Sequence, residues 1–386
     1  MTQLFGVVFI LAIVSGVGAQ VAAAGVPEPE CNKIWERTGK GFYENNKPYT
    51  DERTDTGVWT TSTPAAENMN GTKLSEGIAA MAKSYKRLRS VLIIRHGKLI
   101  SENYVNGGSA KQSNNVHSAS KSILQAVLGI AIQKGYISSL EAKASTYLPS
   151  SYFTGQPTWK KEITIKQLID MNSKLAWTED VTEESSIAKA ANWVEAIIHQ
   201  PGEYKSKTEP SNTFNYSTGN THILSNVIAQ ATGMSYCAFA EKELFSELGI
   251  APEHWGRDPQ AVYSGGYNLY LTARELALFG QLYMNKGKVG TTQLVPTATV
   301  TQAETPLSHE PGEEEFFYDQ GWWSRTISGT KMFFAWGFEG QFVYVIPSLN
   351  IVFVTTENTE GEPTEAEEVN SGSFIEKTLI PAVTGP

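Results

Sequence analysis

The alternation of apolar and polar positions divides the chain into three stretches of different period. Apolar runs at residues 90–94 and 99–104 flank Arg95-His96-Gly97-Lys98, whose turn-forming residues predict an antiparallel hairpin. From about residue 118 to residue 288 the spacing lengthens to three and four, which predicts helices over 122–134, 221–231 and 272–285. Each ends near glycine or a polar cluster. After Phe317 the strand pattern returns at 321–327, 331–336, 341–346 and 351–355, with turns at Ser328-Gly329 and Pro347-Ser348-Leu349-Asn350. An amphipathic stretch over 366–380 closes the chain. A hairpin, a helical middle and a meander together predict an α+β fold. One antiparallel sheet, built from both chain ends and flanked by helices, carries a mainly helical insertion at about 118–300.

The N-terminal segment is of another kind. Residues 4–17 are almost wholly apolar and no charged side chain precedes Glu28, yet the run is short for a bilayer span. Small residues at Val17-Gly18-Ala19 and Ala22-Ala23-Ala24 supply two cleavage sites, so residues 1–24 read as a secretory signal and the protein as secreted or periplasmic. The n-region lacks Lys and Arg, which keeps an uncleaved membrane anchor open as the other reading. After cleavage no stable membrane anchor is expected. The expected division is then an arm and first helix over 25–85, a catalytic domain over 86–360 and a C-terminal helix of the same domain over 361–386.

Composition narrows the function. A formal charge of −9 repels phosphate backbones and anionic membrane surfaces, so no nucleic-acid partner is expected. Export permits the two cysteines, Cys31 and Cys237, to pair. Cys237, within Ser235-Tyr236-Cys237-Ala238-Phe239, reads equally as a buried helix residue. Asn70-Gly71-Thr72 and Asn215-Tyr216-Ser217 are glycosylation sequons, of consequence only in a host that glycosylates.

A serine-lysine nucleophile needs both side chains on one face of a rigid element, and a spacing of three at a helix start provides that. Ser118-Ala119-Ser120-Lys121 has this spacing, as do Ser186-Ile187-Ala188-Lys189 and Ser328-Gly329-Thr330-Lys331. What separates Ser118 is the helix that follows: Ile123, Leu124, Ala126, Val127, Leu128, Ile130, Ala131 and Ile132 make it apolar nearly all round, hence buried. Its positive end favours an oxyanion near Ser118 and disfavours a charged Lys121. Serine also caps helices well, so spacing and burial alone leave cap and catalyst both open.

Later segments in the same order change the balance. Ile163-Thr164-Ile165-Lys166-Gln167-Leu168-Ile169-Asp170-Met171-Asn172-Ser173 is followed by Phe214-Asn215-Tyr216-Ser217, by Leu224-Ser225 and Ala231-Thr232-Gly233, and by Gly265-Gly266-Tyr267-Asn268-Leu269. Trp336-Gly337-Phe338-Glu339-Gly340-Gln341 then leads to Ile346-Pro347. Over about residues 90–358 the chain resembles the serine β-lactamase and penicillin-binding-protein superfamily, closest to its class C branch. That branch includes β-lactamases, D-Ala-D-Ala peptidases, β-lactamase-like esterases and 6-aminohexanoate-dimer hydrolases. The resemblance implies a β-lactamase/transpeptidase-like fold with Ser118 as acylated nucleophile and Lys121 and Tyr216 sharing its proton. A phenol, with a pKa of about 10, becomes a useful base only where a cation stabilises the phenolate, which Lys121 can do. The resemblance also implies an oxyanion hole from the backbone N–H groups of Ser118 and Phe338.

Departures from the family pattern bear on the substrate. Thr218 stands where the penicillin-recognising members have asparagine, and Ala335-Trp336-Gly337 replaces Lys-Thr-Gly, removing the cation that holds a β-lactam or peptide carboxylate. Lys331 is too far along the strand to substitute. Ser173-Lys174-Leu175 replaces Ser-Gly-Leu, where the lysine reads as a surface cation. These changes favour an esterase or small-amide hydrolase over a β-lactamase or D-Ala-D-Ala carboxypeptidase, with Thr218, Ala335, Trp336, Gly337 and Trp177 as substrate-binding candidates. Trp177, Trp322, Trp323, Trp336 and Phe338 fit an apolar acyl pocket, although Trp322-Trp323 reads first as core. A catalytically silent relative that senses cell-wall fragments or acts as a scaffold is the alternative of another class. No Gly-x-Ser-x-Gly elbow, His-Glu-x-x-His pair or phosphate loop occurs, and no cofactor or metal is implied.

Overall fold

The computed structural model describes Cys31 and residues 59–179, 185–202, 204–206, 209–210, 214–305, 308–309, 315–359 and 370–385. The expected signal, residues 25–30 and 32–58 of the arm, and residues 361–369 and 386 of the closing stretch lie outside these residues.

Eight antiparallel strands form the main sheet. They are β1 (Leu88–Arg95), β2 (Lys98–Tyr104), β3 (Ser308–His309), β4 (Phe317–Asp319), β5 (Trp322–Ile327), β6 (Thr330–Gly337), β7 (Gln341–Ile346) and β8 (Ile351–Glu357). Their spatial order is β3-β4-β5-β6-β7-β8-β1-β2, so the first hairpin pairs with the last strand and the chain's two ends share one sheet. His96 and Gly97 take φ of 51° and 73°, and Ser328 and Gly329 take 48° and 78°. Two successive positive φ values match the right-handed strand twist, which is why these two-residue turns close the β1–β2 and β5–β6 hairpins.

Alternation along the strands sends side chains to two cores. Leu92, Ile94, Phe333, Ala335, Val343, Val345, Val352 and Val354 face α2 (Ser120–Gln133) and α4 (Ala273–Met284), with α3 (Thr218–Thr232) packed on α2. Val91, Ile93, Phe334, Phe342, Tyr344 and Phe353 face α1 (Gly71–Ser84) and the C-terminal helical segment that begins at Ser371–Phe374. Helix α4 lies close against the sheet: a Cβ on Gly280 would meet Val352 Cγ1 at 2.6 Å and Val343 Cγ1 at 2.7 Å. Any larger residue there forces helix and sheet apart.

Helix starts are set by capping. Ser217 accepts from Asn220 N, and so α3 begins three residues earlier than periodicity alone suggests. Thr272 and Glu275 form a capping box that places Thr272 just outside α4. The insertion is less uniformly helical than expected. Ser113–Asn115 pairs with Leu269–Thr272, which pairs in turn with His254–Trp255, and this small sheet leads directly into Ser118. The structure also joins Cys31 to Cys237 in a disulfide, with Tyr263 Oη donating to the Cys31 carbonyl at 3.0 Å.

Candidate active site

Ser118 occupies a 310 turn, His117–Ala119, that runs straight into α2. The turn is held from behind: Val116 N donates to Leu269 O at 2.8 Å, His117 N to Asn115 Oδ1 at 3.0 Å, and Asn115 Nδ2 to Asn268 Oδ1 at 3.1 Å. Neither helix start is capped by a side chain. Ser118 is therefore not used as a helix cap, and its hydroxyl is turned to Lys121 instead.

Lys121 lies one turn on, 1 % exposed, with Nζ 2.8 Å from Ser118 Oγ, 2.8 Å from Thr218 Oγ1 and 3.2 Å from the Gly266 carbonyl. Burial pushes its amine down to about 8, with the Glu179 carboxylate pulling the other way. A lysine so placed exchanges its proton near neutral pH, which an exposed lysine does not. Gly266 is required for this arrangement, since a Cβ there would sit 3.0 Å from Lys121 Nζ and 2.4 Å from Thr221 Oγ1. His117 is held down to about 3, by burial first and by the Lys121 charge second. It is thus a neutral imidazole at the site.

Tyr216 comes from the segment before α3, and its ring centroid lies 4.8 Å from Lys121 Nζ. An aromatic wall supports it: Trp323 at 5.8 Å, Tyr318 at 5.8 Å and Phe214 at 6.4 Å, with Trp336 5.3 Å from Trp323. Trp322, the neighbour of Trp323, points through the sheet and packs on Tyr283 and Phe279 in the helical core. Both tryptophans are buried in core, as their first reading expects, but on opposite faces of the sheet, because adjacent strand residues point oppositely.

The end of β6 meets the Ser118 turn. A Cβ on Gly337 would stand 2.1 Å from the Val116 carbonyl, and the next residue, Phe338, sets its ring edge-on to His117 at 5.7 Å. Phe338 is 54 % exposed, which leaves an apolar ring at the mouth of the site. The substrate-binding candidates divide accordingly. Trp336 and Trp177 are half-buried, whereas Ala335 and Gly337 are buried in the sheet and Thr218 is committed to Lys121. Lys331 is exposed near the opposite end of β6 and Lys174 is half-buried.

One residue at the site carried no sequence signal. Glu179 accepts from Thr218 N at 2.8 Å and Thr218 Oγ1 at 2.6 Å, and Trp177 Nε1 donates to it at 2.6 Å. Nothing in residue spacing connects it to Thr218, 39 positions away. No group of three or more potential metal ligands occurs among the described residues.

Comparison with known proteins bears on the fold and the family. A curated 6-aminohexanoate-dimer hydrolase from Paenarthrobacter ureafaciens is 23 % identical over 292 residues, covering 68 % of this chain and 70 % of that protein. The solved class C β-lactamase from Rhodobacter sphaeroides superposes with a TM-score of 0.60 at 14 % identity, covering 81 % of this chain and all of that one. A D-stereospecific amidohydrolase from Streptomyces sp. gives a TM-score of 0.60 at 15 % identity, covering 80 % and 98 %. The family model described as Beta-lactamase matches residues 44–372. The chain belongs to the Beta-lactamase family of hydrolases.

Proposed function

We propose that the protein is a serine hydrolase that forms an acyl-enzyme at Ser118 from carboxylic esters or small amides. The observation that carries this reading is the 2.8 Å contact between Ser118 Oγ and the buried amine of Lys121. In the proposed cycle Ser118 Oγ bonds to the substrate carbonyl carbon while Lys121 and Tyr216 take up its proton. The backbone N–H groups of Ser118 and Phe338 hold the oxyanion. The bond to the leaving alcohol or amine then breaks, and that group takes the proton. Water attacks the acyl carbon, the ester bond to Ser118 breaks, and the serine regains its hydrogen.

Two features favour esters and small amides over β-lactams. Ala335 supplies no cation for a substrate carboxylate, and the exposed Phe338 ring suits an apolar acyl or alkyl group. Export is the accompanying proposal. It draws support from the Cys31–Cys237 bridge, which belongs to an oxidising compartment. N-terminal sequencing of protein recovered outside the cytoplasm is expected to show cleavage near residues 19–24.

The functional reading is tested by treating folded protein with a fluorophosphonate and mapping the adduct. Labelling is expected at Ser118 and to be lost in Ser118→Ala. An unlabelled Ser118 would instead support a silent sensor or scaffold. Short p-nitrophenyl esters are expected to turn over faster than nitrocefin, and a linear aminohexanoate dimer tests the amide branch.

A further inference from the structure

We infer that Glu179 is a positioning residue which, acting through Thr218, aims the Lys121 amine at Ser118. The inference rests on the serine-hydrolase reading and adds to it a residue outside the serine, lysine and tyrosine.

The argument is one of donors and acceptors. A carboxylate only accepts, so the Thr218 hydroxyl, its Oγ1 2.6 Å from Glu179 Oε2, commits its hydrogen to Glu179. Thr218 Oγ1 then has only lone pairs to offer Lys121 at 2.8 Å. The Gly266 carbonyl, 3.2 Å from Nζ, likewise only accepts. Two of the amine's positions are therefore occupied by N–H bonds directed at obligate acceptors. The remaining position faces Ser118 Oγ, holding an N–H in the ammonium and the lone pair in the neutral amine. Only the second can take the serine proton.

Burial keeps this pattern in place. Thr218 and Lys121 are each 1 % exposed, so solvent does not compete for their hydrogen bonds. With an amide at position 179, the side chain could donate to Thr218 Oγ1. That would free the threonine hydrogen to rotate onto the Lys121 lone pair and draw it from Ser118. The titratable groups facing Lys121 among the described residues are Glu179, Tyr216 and His117; the Gly265-Gly266 segment presents backbone only.

The test is the pH dependence of the second-order rate of Ser118 labelling by a fluorophosphonate, which requires no knowledge of the natural substrate. In the unaltered protein the rate is expected to rise with pH as Lys121 loses its proton. Removing the carboxylate withdraws a stabiliser of the ammonium, so Glu179→Gln should move that rise to lower pH while the plateau falls about tenfold. Thr218→Val should lose the plateau, and Thr218→Ser, which restores the hydroxyl, should recover most of it. In the Thr218→Val background Glu179→Gln should cost little more, because the two act in series. If Thr218→Val does not fold, the fall of the plateau in Glu179→Gln, together with the pH shift, decides, since an exposed residue tolerates glutamine; an undiminished plateau would overturn the inference. Labelling of Ser118 with an unmoved pH profile in Glu179→Gln would overturn the inference and leave the serine-hydrolase reading standing. Absence of labelling in the unaltered protein would remove both.

Discussion

Arg87 places Nη2 2.8 Å from Glu339 Oε2, and Glu339 is the residue directly after Phe338. Glu339 is 1 % exposed with φ of 59°, a backbone conformation that must be held by its surroundings. Gln341 Nε2 donates to the Glu339 carbonyl at 3.0 Å and Thr355 Oγ1 to the Gly340 carbonyl at 2.8 Å, so the turn is fixed at three successive points. This turn fixes where the Phe338 N–H points. Arg87→Met takes a cation away from a buried carboxylate, and should lower stability by about 3–5 kcal/mol. If that N–H helps hold the oxyanion, kcat should fall about 10- to 100-fold with KM little changed. A loss of stability with unaltered kcat would show that the pair serves the fold alone.

In the proposed mechanism Lys121 sets activity against stability. Its folded pKa of about 8 lies below the ordinary 10.5, so between those values the unfolded chain binds more protons and the stability of the unaltered protein rises with pH. Lys121→Met removes this dependence. The difference in Tm, variant minus unaltered, should therefore decline from pH 8 toward pH 10.5 and be constant below pH 8. Fluorophosphonate labelling should fall at least about a hundredfold at every pH. A Tm difference independent of pH across that window would show that the lysine titrates normally.

Much of this was legible in the residues and some was not, for definite reasons. The hairpin at His96-Gly97 and the meander after Phe317 follow from local turn chemistry and period two, and the structure places them as expected. Ser118, Lys121 and Tyr216 were singled out because one buried helix and an ordered set of short motifs point to them, and the fold sets the Lys121 amine 2.8 Å from Ser118 Oγ and 4.8 Å from the Tyr216 ring centroid. The strand Ser113–Asn115 was missed because it is three residues long and polar, with its partner more than 150 positions away. Glu179 was missed because its place at the site depends on tertiary contact with Thr218. Thr218 was read as a departure on the substrate side. In the fold it is a link between lysine and carboxylate.

The disulfide should matter to the fold more than to the chemistry. Cys31 and Cys237 are 206 positions apart, and closing so long a loop restricts the unfolded chain by roughly 5 kcal/mol in the chain-entropy treatment. Both cysteines are buried in the helical core near Tyr236, Trp255 and Tyr263. Cys31→Ser with Cys237→Ser is expected to lower Tm by about 5–10 °C, while Ser118 labelling at 25 °C continues. An unchanged Tm would mean that the N-terminal arm is held by other contacts.

Asp319 at the end of β4 gives a pH signature of its own. Burial pushes its carboxyl up to about 7; Asp170 adds to the rise, while Gln302, whose Nε2 donates to Oδ2, and the Lys166 cation oppose it. The sign follows from linkage. Between the ordinary value of 3.8 and about 7 the folded protein keeps a proton that the unfolded chain has lost, so stability falls as pH rises through this window. Asp319→Asn keeps the shape and an acceptor for Gln302 but cannot ionise. Its Tm should gain on that of the unaltered protein as pH goes from 4 to 7 and hold level above, by about 2–5 °C at pH 8 relative to pH 5. The next residues, Gln320-Gly321, abut α2 where Ser122 Oγ donates to the Gly321 carbonyl at 2.6 Å. A stabilised turn there should leave the labelling rate of Ser118 within about twofold, since the substitution touches neither Lys121 nor Thr218. Equal Tm differences at pH 5 and pH 8 would mean that Asp319 is already ionised in the folded protein, with Lys166 shared between it and Asp170.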